Sequence, residues 1–492
     1  MAGVVVNGTD LYKKAQSLLE NPNPKNPWVD YEKAFHWFNI LLNGAYEAND
    51  PSLAALYFAV GAVSMKREHK MLALLCYQKA VEIDPKFLEA INNIAYLHKK
   101  LDHDEEAKYY FKHVLDLALE MAEKDTNPEF VKTLAEYYAN YGSMFVGRGI
   151  PDVALEYFKE GEKYNPDCRM IKYNRSLAYL EKGEYAKGFP EFDYGDRIDR
   201  CEKRHYGKDN LPWWDGTPGK KLVVIGEQGI GDEIMFATLL PKLMKDCGVV
   251  LDAHPRLTTL FQRTFPNIDI YGTRKDESDT WGNRYDFDAK VMLGSLPRFY
   301  CKSKDDFLPN PYLKADPLLV EKYRAKLETM GDRPKIGISW RGGSKVTDLN
   351  NYRYIPLTKW LSILRLPCDF ISLQYDKDIE QGVKEFEDKH QVSINHWPDV
   401  LADYDETAGL VSCLDLVISV PQSVVHLAGA LGTYTMQLTP KQAMWQMGCY
   451  GEKMPWYDTV ASIWQKENGD WDGVLKEVEN HLCSLLQTNT ES

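Results

Sequence analysis

Val223–Leu243 reads VVIGEQGIGDEIMFATLLPKL. An apolar run of strand character ends in a glycine-rich turn that carries Asp232, and a helical pattern follows. Phosphate loops share that outline, so their chemistry is the first comparison. A Walker loop follows its second glycine with Lys. Gly226 and Gly231 have the Walker spacing, but Asp232 comes next. The dinucleotide fingerprint G-x-G-x-x-G fails too, because Gly229 and Gly231 are followed by Ile234 where the third glycine belongs. The turn thus has the backbone of a ligand loop and a carboxylate at its tip. Asp232 reads either as a helix cap or as an acid facing a cleft.

Upstream of the turn the sequence repeats. Ala73, Tyr77, Ala80 and Pro85 stand in ALLCYQKAVEIDP, with Gly61 twelve residues before Ala73. The same offsets recur at Ala95, Ala107, Phe111 and Val114. They recur again at Gly142, Ala154, Phe158, Gly161 and Pro166, and at Ser176, Gly188 and Phe192. The steps are 34, 47 and 34 residues. Thirty-four is the tetratricopeptide period, in which small residues let two helices approach and an aromatic fills the gap. The long step implies about thirteen inserted residues near EMAEKDTNPEFVK. Ala34 and Phe38 mark an irregular earlier unit. Residues 1–195 are therefore expected to form a stack of helix pairs, either a docking surface or a platform for the rest.

Residues 196–219 break the helical period, end in Pro and Gly, and read as a linker. Strand and helix patterns alternate from Lys220 onward. KLVVIG, GVVLDAH, IDIYG and YDFDAKVML make one block over 220–315. IGISW, DFISLQ, VSINHW, LDLVISV and YTMQLT make another over 333–455. Alternation of this kind predicts parallel sheets covered on both faces, here two Rossmann-like domains. The fold class is thus α plus α/β. Ligands of such sheets sit beyond the carboxyl ends of the strands.

Candidate residues cluster at those ends. In SWRGGSK, Arg341 and Lys345 flank Gly342 and Gly343, which allow close backbone approach, and the two cations suit a diphosphate. Arg353 adds a third cation. Gln422, Ser423 and His426 open the helix of HLAGALG, whose first amides favour an anion. Gln374 ends FISLQ, where it could meet a base or a sugar. Each has a plainer reading: solvated loop charges for Arg341 and Lys345, a structural histidine at 426, a strand cap at Gln374, close packing for AGALG. Their convergence at one edge of two sheets favours a site.

Composition bounds the rest. Lys and Arg number 59 against 72 Asp and Glu, a net charge of −13. Such a chain is a poor non-specific binder of nucleic acid. Nine cysteines show no paired spacing, as expected of reduced thiols without structural zinc. No apolar run approaches the ~18 residues of a membrane span, and MAGVVVNGTD lacks the features of a signal peptide. A cytoplasmic location is the expectation.

GEQGIGDEIMFATLLPKL, YDFDAKVMLGSLPRFY, IGISWRGG, NNYRYIPL, FISLQ and DLVISVPQSVVHLAGALG occur in this order. Residues 170 to 460 thereby resemble bacterial and phage tetratricopeptide glycosyltransferases related to the lipopolysaccharide heptosyltransferases. The resemblance implies a GT-B pair of domains and inverting, metal-independent hexosyl or heptosyl transfer from a nucleotide sugar, with no cofactor. It places the base at Asp232 and the acceptor-side loop at Gln228, Gly229 and Gly231. It assigns donor binding to Trp340, Arg341, Gly342, Ser344, Lys345, Arg353, Gln374, Gln422, Ser423 and His426. The acceptor is a glycan or a protein, docked by the repeats in one version. The family has Asp-Thr where this chain has Pro421-Gln422, which puts donor geometry in question. A non-catalytic repeat scaffold and a viral glycosyltransferase acting on nucleic-acid bases are the alternatives. In WDGVLKEVENHLCSLLQ, Trp471, Val474, Leu475, Val478 and Leu482 share a face. Residues 456–490 are expected to cross back onto the first domain, as in GT-B enzymes.

Overall fold

The computed structural model describes residues 8–488 apart from 21, 24–26, 49–51, 196, 203, 209, 274–279, 343–352, 376–378, 443 and 450. The chain divides into two compact units, Met1–Met144 with Glu156–Ile171, and Phe145–Leu155 with Lys172–Ser492.

The first unit is a helical array. Leu53–Lys66 pairs with Lys70–Ile83, and Leu88–Lys100 with Asp104–Ala122. The small residues of the repeat lie at the helix contacts: Ala73, Ala80, Ala95, Ala107 and Ala154 are fully buried. Tyr77, Phe111 and Phe158 plug the gaps between helices and are buried as well. The Phe158 ring occupies the place of a side chain at Gly142, where a Cβ would lie 2.6 Å from its edge. The insertion in the long step is taken up partly as extra helix and partly in the turn over 143–150. Asp104–Ala122 has 19 residues where Lys70–Ile83 has 14, and Pro128–Gly142 has 15 where Leu88–Lys100 has 13.

The second unit holds two parallel sheets. The first contains β1 (Lys221–Ile225), β2 (Gly248–Asp252), β3 (Asp269–Tyr271) and β4 (Ala289–Met292), in the order β3-β2-β1-β4. The second contains β5 (Lys335–Ser339), β6 (Asp369–Ser372), β7 (Asn395–His396), β8 (Leu416–Ser419), β9 (Thr435–Thr439) and β10 (Val460–Trp464). Its order is β7-β6-β5-β8-β9-β10, the doubly wound Rossmann arrangement. Strand order reverses beside β1 and beside β5, so a crevice opens past the carboxyl end of each. The helical array followed by paired Rossmann-like domains is the fold class expected from the sequence.

Three domain expectations need correction. The 196–219 segment is packed, not a solvated linker. Cys201, Tyr206 and Leu211 are buried with Val223, Ile225 and Met292 on one face of the first sheet. A parallel sheet needs both faces covered, and this segment covers one of them. The last repeat likewise belongs to the second unit. Tyr185 and Phe192 pack against Phe307 and Trp445, with ring centroids 4.9 and 5.3 Å apart.

The terminal helix Trp471–Thr488 does not cross back. Its apolar face packs with Ile336, Ile338 and Trp360 on the second sheet. β10, missed in the sequence because its exposed edge carries Ala461 and Ser462, extends that sheet past 455, and the short turn 465–470 returns the chain to the same surface. The segment that reaches the first sheet's domain is 445–457, where Trp456 meets Phe236 and Phe307 edge-on at 5.7 and 4.7 Å. Among the described residues no helix is long and apolar enough to cross a membrane.

Replacing a fully buried phenylalanine by alanine costs roughly 3–5 kcal/mol. Phe158→Ala is expected to unfold the helical array at lower urea than wild type, followed by circular dichroism at 222 nm, with Phe158→Leu in between. Equal midpoints for all three proteins would show that the aromatic plug does not hold the repeat.

Candidate functional site

β1 ends at Ile225, and the chain turns into the helix Ile230–Ala237. Asp232 is the third residue of that helix. One carboxylate oxygen accepts the Gly229 N–H at 3.1 Å, so the acid caps its own helix and is held in one orientation. β8 ends at Ser419, and after Pro421 and Gln422 the helix Ser423–Leu431 begins. The two helices come into close contact at Gly231. A Cβ on Gly231 would lie 3.0 Å from His426 Cδ2 and 3.1 Å from Ser423 Cα, so only glycine fits without displacement.

Beside this contact lies a cavity of about 320 Å³. Of the residues singled out in the sequence, Gly229, Gly231, Asp232, Arg353, Gln422, Ser423 and His426 line it. Ser344 and Lys345 lie outside the described residues. Four others have different work. Trp340 is buried in the core of the second sheet. Gly342 allows close backbone approach, but to Pro421, whose carbonyl oxygen would be 2.5 Å from a Cβ. Arg341 pairs through its backbone with Tyr354 and does not line the cavity. Gln228 donates to Glu227 at 3.1 Å and does not line it either.

Gln374 is the clearest correction. Its amide oxygen accepts from Ser339 Oγ, Trp340 N and Arg341 N at 2.9, 3.2 and 3.0 Å, and its amide nitrogen donates to the Arg341 carbonyl at 2.8 Å. It clasps the exit of β5. Ser339 Oγ also receives Gln422 Nε2, so a polar chain runs Gln374–Ser339–Gln422 from the end of β6 through β5 to the start of the β8 helix.

That chain explains the electrostatics of the helix start. Gln422 occupies the cap position of Ser423–Leu431 but makes no side-chain cap, because its amide is drawn to Ser339. The Ser423 and Val424 amides thus open the helix at the cavity wall, where the helix dipole favours an anion. Gln422 Oε1 and Gln446 Oε1 are buried at the cavity without a hydrogen-bond partner among the described residues. Whichever way each amide is turned, it offers a ligand a hydrogen bond.

His426 sits between these groups, 3.4 Å from the Tyr457 hydroxyl. Burial, and then the neighbouring Arg353 cation, pull its pKa down to about 4. It is therefore neutral near pH 7 and acts by hydrogen bonding, not by charge.

The cavity also contains residues that the sequence reading missed. Arg256 follows β2 in AHPRL, donates to the Leu401 carbonyl at 3.2 Å and lies 5.4 Å from the Tyr404 ring centroid. The strand-end rule that flagged Arg341 also points to Arg256 and to Tyr375, one residue past Gln374. Met444 and Gln446 follow β9 by five and seven residues, much as Asp232 follows β1, so the strand-end rule covers them too, whereas no local signal marks Tyr404 on its helix.

Residues 88–120 match the tetratricopeptide repeat. That repeat is the helix pair starting at Leu88 and Asp104. The chain is similar to Protein FlbA of Caulobacter vibrioides, 27% identical over 498 residues, covering 89% of this chain and 76% of that protein. Two solved structures align with part of it. E. coli ADP-heptose LPS heptosyltransferase II is 13% identical, with a TM-score of 0.38, over 55% of this chain and 99% of that one. A family 9 glycosyl transferase from Veillonella parvula is 11% identical, with a TM-score of 0.40, over 55% and 97%.

The His426 shift has a consequence for stability. The native value near 4 lies below the ordinary 6.5. Between these values the unfolded chain binds a proton that the native histidine refuses, so native stability falls as pH drops from 6.5 toward 4. His426→Asn lacks that penalty. The difference in Tm between wild type and variant is expected to move in the variant's favour across that window and to stay level above it. A difference independent of pH would mean that the imidazole is not desolvated.

Proposed function

We propose that this protein is a glycosyltransferase that moves a sugar from a nucleotide-activated donor to an acceptor hydroxyl, with inversion and without a metal. One observation carries the reading. Asp232 from the first sheet's domain faces, in one cavity, Arg353 and the open start of the Ser423 helix from the second.

The chemistry follows from that opposition. The acceptor hydroxyl loses its proton to the Asp232 carboxylate as its oxygen bonds to the anomeric carbon. The bond from that carbon to the diphosphate oxygen breaks with its electron pair, and negative charge develops on the leaving group. The Ser423 and Val424 amides and the Arg353 guanidinium are set to receive this charge, in a site already shaped for it. Neutral His426 adds a hydrogen bond without competing for the anion. Gln422 and Gln446 supply groups for ribose or sugar hydroxyls. Lys345 and Ser344, which follow β5 in the sequence, are assigned to the donor by the family resemblance. The two-domain arrangement supports a GT-B reading, and the repeat array supports docking of a protein or glycan acceptor.

A nucleoside diphosphate that binds only the native state raises its Tm. One of UDP, GDP, ADP, CDP and dTDP, at about 100 times its Kd, is expected to stabilise by about 2.7 kcal/mol, a shift of several degrees. Arg353→Ala should lose most of that shift. Asp232→Asn should keep it and lose roughly 10²–10⁴-fold in turnover of the matching nucleotide sugar. The reading falls if no diphosphate shifts the Tm, and the base assignment falls if Asp232→Asn turns over like wild type.

A further inference from the structure

The second unit contains another hollow, of about 250 Å³, on the first sheet's domain. It lies beside β4, where residues 212–214 run alongside the strand. Trp213 pairs with Lys290, and Trp214 N donates to the Lys290 carbonyl at 2.9 Å. Trp213, Trp214, Tyr194 and Phe299 wall it, with the cations of Lys290 and Arg298 and the carboxylate of Asp193 among them.

Lys290 is out of place for packing alone. Its register partner across β1 is Val223, and Met292 follows on the same strand face, both in an apolar cluster. Yet the Lys290 side chain is only 6% exposed. Its ammonium lies 4.6 Å from the Trp213 ring centroid, and among the described residues no hydrogen bond or ion pair reaches it. Nearby carboxylates do not neutralise it. Asp193 is engaged by Ser295 at 2.6 Å and by Arg298 at 3.1 Å, and Glu202 acts only from a distance. Burial lowers the Lys290 pKa from its ordinary value. A buried cation facing only a ring costs more than a well-packed apolar side chain would.

We propose that this hollow is a second ligand site, which takes a small monocarboxylate with a flat apolar body. The carboxylate pairs with the Lys290 ammonium, and the body lies among Trp213, Trp214 and Phe299. Arg298 also lines the hollow, but Asp193 offsets its charge at 3.1 Å, so one unbalanced ammonium remains, which favours a carboxylate over a phosphate dianion. The volume falls below the roughly 300–1,000 Å³ of pockets for drug-sized ligands, which limits the body to about one ring. This inference is independent of the glycosyltransferase reading, since none of its residues lines the Asp232 cavity.

Calorimetric titration of the full chain with acetate, benzoate and phenylacetate, against benzamide and phenylacetamide, tests it. Benzoate or phenylacetate should bind at least tenfold more tightly than its own amide, and Lys290→Met should erase that preference. The variant should melt no lower than wild type, because the cation is kept for a ligand and not for the fold. A measurement without any variant runs beside it. Saturating benzoate, and not benzamide, should slow acetylation of Lys290 by acetic anhydride, read by peptide mapping. Three results would overturn the proposal: no acid preferred over its amide, a preference that survives in Lys290→Met, or equal protection of Lys290 by acid and amide. A lower melting temperature for Lys290→Met would also count against it, because the lysine would then be serving the fold.

Discussion

The approach of two helix starts at Gly231 is the constraint on which the candidate site depends. A side chain there would push Ser423 and His426 away. Without one, the Asp232 helix and the Ser423 helix bring their first turns to the same cavity. The first turn of the Ser423 helix offers amides, and that of the other helix carries a carboxylate that caps itself. A carboxylate and a set of helix amides thus line one cavity because two backbones touch. The rest of the second unit supports that contact: Phe236, on the Asp232 helix, packs against Trp456, while Gly429 on the Ser423 helix packs against Tyr457.

A second constraint lies at the reversal point of the second sheet. Gly342 sits against the Pro421 carbonyl, and Gln374, Ser339 and Gln422 form a polar chain beneath them. Buried polar groups in a low-dielectric interior fix geometry when they are satisfied. This chain ties the end of β5 to the start of the helix after β8, with Gln422 Oε1 left over at the cavity. It also accounts for Gln422 at a cap position. A capping Thr or Asp would satisfy the helix amides itself, whereas Gln422 is turned toward Ser339 and leaves them facing the cavity.

The reach of local sequence signals can be judged residue by residue. Ala73, Ala107 and Ala154 repeat at offsets set by helix geometry, so the helix pairs were visible in the chain. Strand ends were visible for the same reason, and they led to Asp232, Arg353, Gln422, Ser423 and His426. They also led to Gln374 and Trp340, which face inward, because a position just past a strand does not say which way the side chain turns. Arg256 obeyed the rule and was passed over. Gln446, past the end of β9, obeyed it as well, whereas Tyr404 opens a helix and only folding carries it to the cavity.

Periodicity along the chain was enough to determine the classes of element, their order, the helical array and the paired parallel sheets. Period and strand-end position depend on neighbours in sequence, which the chain itself displays. Tertiary structure alone decided that 196–219 covers a sheet, that the last repeat packs into the second unit, and that the terminal helix stays on the second sheet. It alone placed Lys290 in an aromatic hollow and Gly231 against Ser423. These outcomes depend on which apolar surfaces remain uncovered once the sheets form, and on contacts between segments tens to hundreds of residues apart.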